Sequence, residues 1–166
     1  GFFSRYPILS SAEVTEYPGA TELTRYPLRV VVQVPGALNP LAVYALHLKA
    51  SSGSVNQFRR AIEARRTVSN LVAYIESNPL DTEYAIVGDF NEDVANSQSA
   101  SFTSLPSGLP ASYSLGADVA YPVPYKLFPT DRFASGGLAP LTIYQEDSTL
   151  DDTYSTGGRL DYLLLS

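Results

Sequence analysis

An aspartate and an asparagine stand two residues apart in Gly88-Asp89-Phe90-Asn91-Glu92-Asp93, directly after the apolar run Tyr84-Ala85-Ile86-Val87. Side chains at i and i+2 of an extended segment point to the same side. A buried strand would therefore deliver a carboxylate and a carboxamide to one spot at its C-terminal end. Oxygen donors in that pairing suit a hard cation or an activated water at phosphorus. The competing reading is an Asx-type turn that merely closes a strand. A calcium loop of the EF-hand kind is excluded. That pattern needs Gly at the sixth position and Glu at the twelfth, where this chain has Val94 and Ala100.

The single histidine, His47, lies in Leu41-Ala42-Val43-Tyr44-Ala45-Leu46-His47-Leu48. Its neighbours Leu46 and Leu48 belong to one face of a strand, so His47 belongs to the other. Like Asp89, it sits at the C-terminal end of its strand. A lone strand histidine is most often a hydrogen-bonded core or surface group. At such an end, imidazole can instead donate to a phosphate oxygen and change charge near neutral pH. Lys49 follows it and is placed for phosphate contact. Asp161 opens the last apolar strand, after Gly157-Gly158-Arg159-Leu160. It reads either as a strand-start carboxylate paired to Arg159 or as a further site group. Asp151-Asp152 could form a loose cation site but reads more readily as an acidic loop, and the basic pairs Arg59-Arg60 and Arg65-Arg66 read as a solvated helix face.

The elements that must position these groups follow from periodicity. Arg29 to Val34 is rich in β-branched residues and predicts a strand. Pro35 to Pro40 supplies a turn, and Leu41 to Leu48 returns. From Val55 to Ser77, Phe58, Ala61, Ala64, Val68, Leu71 and Ile75 recur every three or four residues as one apolar stripe. Ser54 or Asn56 is the expected cap, and Asn78-Pro79 the stop. Glu83 to Val87 is the next strand, giving strand–helix–strand order, a mainly parallel connection with ligand sites beyond the strand ends. Phe2 to Ile8 reads as the end of a strand or the turn after it. Ser97 to Ser104 predicts a short helix, Leu141 to Tyr144 a short strand, and Asp161 to Leu165 a final strand. The loop-rich span from Glu92 to about Ala139 is too aromatic for a disordered linker and is expected to line a cleft.

The chain has 166 residues, enough for one domain, and a net charge of −6, which disfavours tight non-specific binding to polyanions. Cysteine is absent, which excludes disulfides, thiol catalysis and cysteine-held zinc. No apolar run approaches the roughly 20 residues of a membrane helix, and no segment reads as a secretory signal. Methionine is absent, so residue 1 is expected not to be an initiator and the chain to be a processed product or fragment. Compartment stays open.

Four pieces occur in order: Phe3-Ser4-Arg5-Tyr6-Pro7-Ile8, Ala45-Leu46-His47-Leu48-Lys49, Ile86-Val87-Gly88-Asp89-Phe90-Asn91 and Arg159-Leu160-Asp161-Tyr162-Leu163-Leu164. Together they resemble the endonuclease/exonuclease/phosphatase superfamily. The likeness runs through nearly the whole chain and is weakest from about Asn96 to Leu150. It implies an α/β fold, a four-layer α/β/β/α sandwich of the DNase I type, here incomplete. It implies a single domain over residues 1–166, with Mg²⁺ or Mn²⁺ as cofactor and a phosphoester, nucleic acid among the options, as substrate. On this resemblance Asp89 orients or deprotonates the attacking water and touches metal. Asn91 holds phosphate or metal, His47 donates to the scissile phosphate, and Asp161 orients a second histidine. The superfamily's metal-holding Asn and Glu precede the Ser-Arg-Tyr-Pro-Ile piece, and its Ser-Asp-His segment follows the last strand. Neither is in these residues, so the chain alone is expected to be inactive. The loops resemble extracellular bacterial-type members, and His47 the nuclease, sphingomyelinase and phosphatase branches. Two rival expectations stand beside a nuclease-like hydrolase: a phosphomonoesterase or sphingomyelinase-like member, and a catalytically dead binding module of the same fold.

Overall fold

The computed structural model describes residues 1–79, 83–91 and 101–118, together with short strands at 123–124, 139–141 and 161–165. Strands β1 (Ile8–Glu13), β2 (Leu28–Val32) and β3 (Leu41–His47) lead into helix α1 (Ser54–Ser77) and strand β4 (Glu83–Asp89). Strands β5 (Ser101–Phe102), β6 (Val123–Pro124), β7 (Ala139–Leu141) and β8 (Asp161–Leu165) follow. The main sheet has six strands in the order β1-β2-β3-β4-β8-β7, and β5 pairs with β6. Among the described strands only β3 and β4 pair in parallel, joined through α1.

The β-branched and apolar runs of β2, β3 and β4 suit a sheet buried on both sides. Val31, Ala42, Tyr44, Leu46, Tyr84 and Ile86 pack against Ala64, Val68, Leu71 and Tyr74 of α1. Val30, Val43 and Ala85 alternate with them, lie in register with one another, and are buried too. The expected α/β class holds. Of the expected layers, the described residues give the large mixed sheet, its helix and the small β5–β6 pair.

Several expectations need correcting. Residues 8–13 form a strand in their own right. Its sequence, Ile-Leu-Ser-Ser-Ala-Glu, is mostly exposed and carries no alternation to read. It is an edge strand, with a register shift between Ile8 and Ser10. Neither expected residue caps α1. Gly53 occupies that position with φ 92° and makes no side-chain cap bond. Asn56 instead donates its amide N–H to the Ser52 carbonyl at 2.9 Å. Asn78 ends the helix as expected. Ser101-Phe102 is strand, not helix; residues 97–100 and 142–144 lie outside the described residues, as do Asp151 and Asp152.

The basic pairs are only in part a solvated face: Arg59 and Arg65 are half-buried, and their neighbours are buried. Arg60 is 2% exposed and Arg66 7%. The N-terminal half of α1 is also covered by Phe102, Leu109, Tyr113 and Leu115, which pack on Phe58, Ala61 and Ile62 in a cluster separate from the one on the sheet. Phe58 meets Phe102 edge-on at 5.2 Å. A helix covered on two sides must bury some of its polar positions as well as its stripe.

Candidate active site

Strand parity sets the geometry. Tyr44 and Leu46 of β3 face α1, so His47 belongs to the opposite face, where it is exposed while Leu46 and Leu48 are buried. Asp89 is its register partner on β4. The two side chains meet there, with His47 Nε2 3.5 Å from Asp89 Oδ2 and their exposures 47% and 33%. That is an ion-pair distance open to solvent, long for a hydrogen bond.

Asp89 and Asn91 converge for a different reason than the one expected from an extended strand. The strand stops at Asp89, and Asn91 takes the left-handed φ of 52°. Its backbone N–H donates to Asp89 Oδ1 at 2.9 Å, an Asx turn. Phe90, fully buried, anchors the turn in the core. The Asn91 amide nitrogen donates to the Leu48 carbonyl at 3.0 Å, while the Leu48 N–H donates to the Asp89 carbonyl at 3.0 Å. The turn and the site are thus one structure. One carboxylate oxygen holds the turn and the other faces His47.

Gly88 explains how the strands come close enough. Its φ is +130°, and a Cβ there would lie 2.0 Å from the Leu46 carbonyl oxygen. Asp161 is described through its backbone: β8 runs antiparallel to β4 and sets Asp161 opposite Asp89. Register therefore strings His47, Asp89 and Asp161 across three adjacent inner strands, at the end of the sheet where β3 and β4 finish.

One group at this end of the sheet has no motif to announce it. Arg25, in the loop before β2, is exposed and directs Nη1 to the Leu48 carbonyl at 3.5 Å, the same oxygen that Asn91 reaches. A charged residue in a polar loop gives no periodic signal, so only the tertiary fold reveals it. A separate cavity of about 360 Å³, lined by Val14, Tyr17, Arg65, Arg66, Ser69 and Asp118 among others, includes none of the four candidates. Among the described residues no three His, Cys, Asp or Glu side chains gather as a metal cage, and no helix is long and apolar enough to cross a membrane.

No protein-family model matches the chain, and no curated protein does. Comparison with solved structures defines the fold as α/β of the DNase I type. The catalytic domain of human Nocturnin, solved with a bound sulfate anion, superposes with a TM-score of 0.53 at 17% identity, covering 98% of this chain and 48% of that one. The chain thus spans about half the length of that structure.

Proposed function

We propose that this chain forms the core of a metal-dependent phosphoesterase, nuclease-like in using an activated water. The observation that carries the reading is the meeting of His47 and Asp89, 3.5 Å apart at the ends of paired parallel strands, with Asn91 locked beside them. The fold supports it, and the sulfate held by the Nocturnin domain has the shape and anionic oxygens of a phosphoester.

Each residue has a role that its contacts suit. Asp89 Oδ2 orients the water or takes its proton, while the bond from Asn91 N–H to Oδ1 stops the carboxylate from rotating away. His47 donates a proton or hydrogen bond to a phosphate oxygen. Asn91 spends its amide nitrogen on Leu48, which leaves its carbonyl oxygen for metal or water. Magnesium or manganese fits this donor set, because such an ion binds through one or two carboxylates and fills its other positions with water and substrate oxygens. When bound, the ion makes a water more acidic and offsets charge developing at phosphorus. Asp161 is assigned the orientation of a second histidine. The 166 residues contain only His47, so in this reading that second histidine comes from other sequence. The same single histidine is what favours the rival reading, a binding module that holds phosphate without cleaving it.

The test uses the intact protein with Mg²⁺ against plasmid DNA and bis(p-nitrophenyl) phosphate. Asp89→Ala is expected to lower turnover about 10³-fold, within the range for a positioned acid or base, and to cost only about 1 kcal/mol of stability through the lost acceptor of the Asn91 N–H. Unaltered turnover in the variant refutes the role of Asp89. Phosphate binding without turnover in the parent protein selects the binding module.

A further inference from the structure

We propose that Glu63 and Arg60, buried on α1, are positioning residues that set the phosphate-facing wall of the site through the backbone on either side of it. The proposal rests on the phosphoester reading above. Strand β3 ends at His47, and Ser51 (φ 81°) turns the chain toward α1. A strand-to-helix passage leaves amides and carbonyls without ladder partners, and buried ones must find others. Here α1 supplies them. The Lys49 N–H donates to Glu63 Oε2 at 2.6 Å. Arg60 Nη1 donates to both the Lys49 and Ser51 carbonyls, each at 2.8 Å. Positions 60 and 63 are three apart and share a helix face.

The same carboxylate reaches a second segment. Glu63 Oε1 accepts the Thr24 N–H at 2.9 Å, and Arg59 Nη2 donates to the Thr24 hydroxyl at 3.0 Å. Thr24 precedes Arg25, whose guanidinium reaches the Leu48 carbonyl beside Asn91. One buried side chain therefore fixes two separate segments, the one that carries Arg25 and the one that carries Lys49. Among the described residues neither of those cations is in an ion pair.

Energetics argue that this arrangement serves placement. Glu63 is 1% exposed and Arg60 2%. Removing a carboxylate and a guanidinium from water is costly, and apolar side chains of similar volume would hold a helix on a sheet at least as well. Apolar replacements would not satisfy Thr24 N–H, Lys49 N–H or the Lys49 and Ser51 carbonyls. The buried charges go to the backbone of the two segments flanking the candidate site.

The experiment follows the His47 imidazole by NMR while the intact protein is titrated with inorganic phosphate. Amide exchange at Thr24 and Lys49, and Mg²⁺-dependent phosphodiester hydrolysis, are measured alongside. Glu63→Gln keeps the volume but turns one acceptor into a donor facing an amide N–H. It is expected to lose protection at Thr24 or Lys49, to weaken phosphate binding about tenfold, and to raise KM more than it lowers kcat. Arg60→Lys, which keeps the charge on a shorter side chain and so withdraws the nitrogen that Nη1 places between the two carbonyls, is expected to do the same to a smaller degree, and it carries the test if Glu63→Gln does not fold. Phosphate affinity within twofold of the parent despite lost amide protection overturns the proposal. So does unchanged protection. A parent that binds phosphate at His47 but never hydrolyses the diester sinks the hydrolase reading and leaves the positioning role to be judged on affinity. A parent that hydrolyses while both variants behave normally does the reverse. A parent that does neither removes both.

Discussion

The two halves of α1 are built on different principles. From Val68 onward its buried face is apolar, with Val68, Leu71 and Tyr74 packed on the sheet. From Phe58 to Thr67 it also buries Arg60, Glu63 and Arg66. Arg66 Nε donates to Glu22 at 2.6 Å, and its Nη1 pairs with Asp118. Its guanidinium lies 5.2 Å from the centre of the Tyr17 ring. Burial pulls the Arg66 pKa down, but the bonds to Asp118 and Glu22 outweigh it and hold it above its ordinary value. The C-terminal half meets the sheet mainly through apolar packing, with Asn70 Oδ1 accepting from Tyr44 and Arg29. The N-terminal half, next to the strand ends that carry His47 and Asp89, trades in directional bonds to loops. The difference teaches that this helix is a support at one end and a fixture for chain segments at the other.

The contrast can be attacked directly. Glu22→Ala leaves the buried Arg66 with Asp118 alone and is expected to cost about 4 kcal/mol, the range for breaking a buried pair, read by urea denaturation. A cost near zero would mean that the charged half is as forgiving as a surface. Leu71→Ala, fully buried in the apolar half, should cost about 3 kcal/mol yet leave the affinity of the proposed phosphate binding at His47 unaltered. A large change in that affinity would erase the division between the halves. Tyr44→Phe gives the smallest effect. It removes the bond from the phenol to Asn70 Oδ1, 3.0 Å long, at a cost of about 1 kcal/mol. Burial raises the Tyr44 pKa above 10.0, against the lowering effect of Arg29, and burial raises Tyr84 as well. The unfolded chain loses these protons first, so stability falls as pH rises past 10. Removing the Tyr44 hydroxyl should flatten that slope, as monitored by melts between pH 9 and 11.

Periodicity in the sequence carried β2, β3, β4, β8 and α1 to within a residue or two, because each is apolar in a regular pattern or bounded by proline and glycine. Strand β1 was illegible for the opposite reason: it sits at an edge, so nothing forces its residues to alternate. The meeting of His47 with Asp89 was legible because both end strands of one β–α–β unit. The cause of the Asp89–Asn91 convergence was not, since a turn at a positive φ follows no strand rule. Arg60 and Arg66 read as solvated because burial of a charge depends on distant partners such as Glu22, Asp118 and the loop after β3. No local pattern encodes those.

The missing side chain at position 88 has a genetic consequence. Any codon change that alters this residue adds at least one carbon, and the first carbon already collides with the Leu46 carbonyl oxygen at 2.0 Å. Drift therefore has no step to take there without parting the two strands that carry the imidazole and the carboxylate. A library selected only for correct folding, with no demand for activity, should still return glycine at this position.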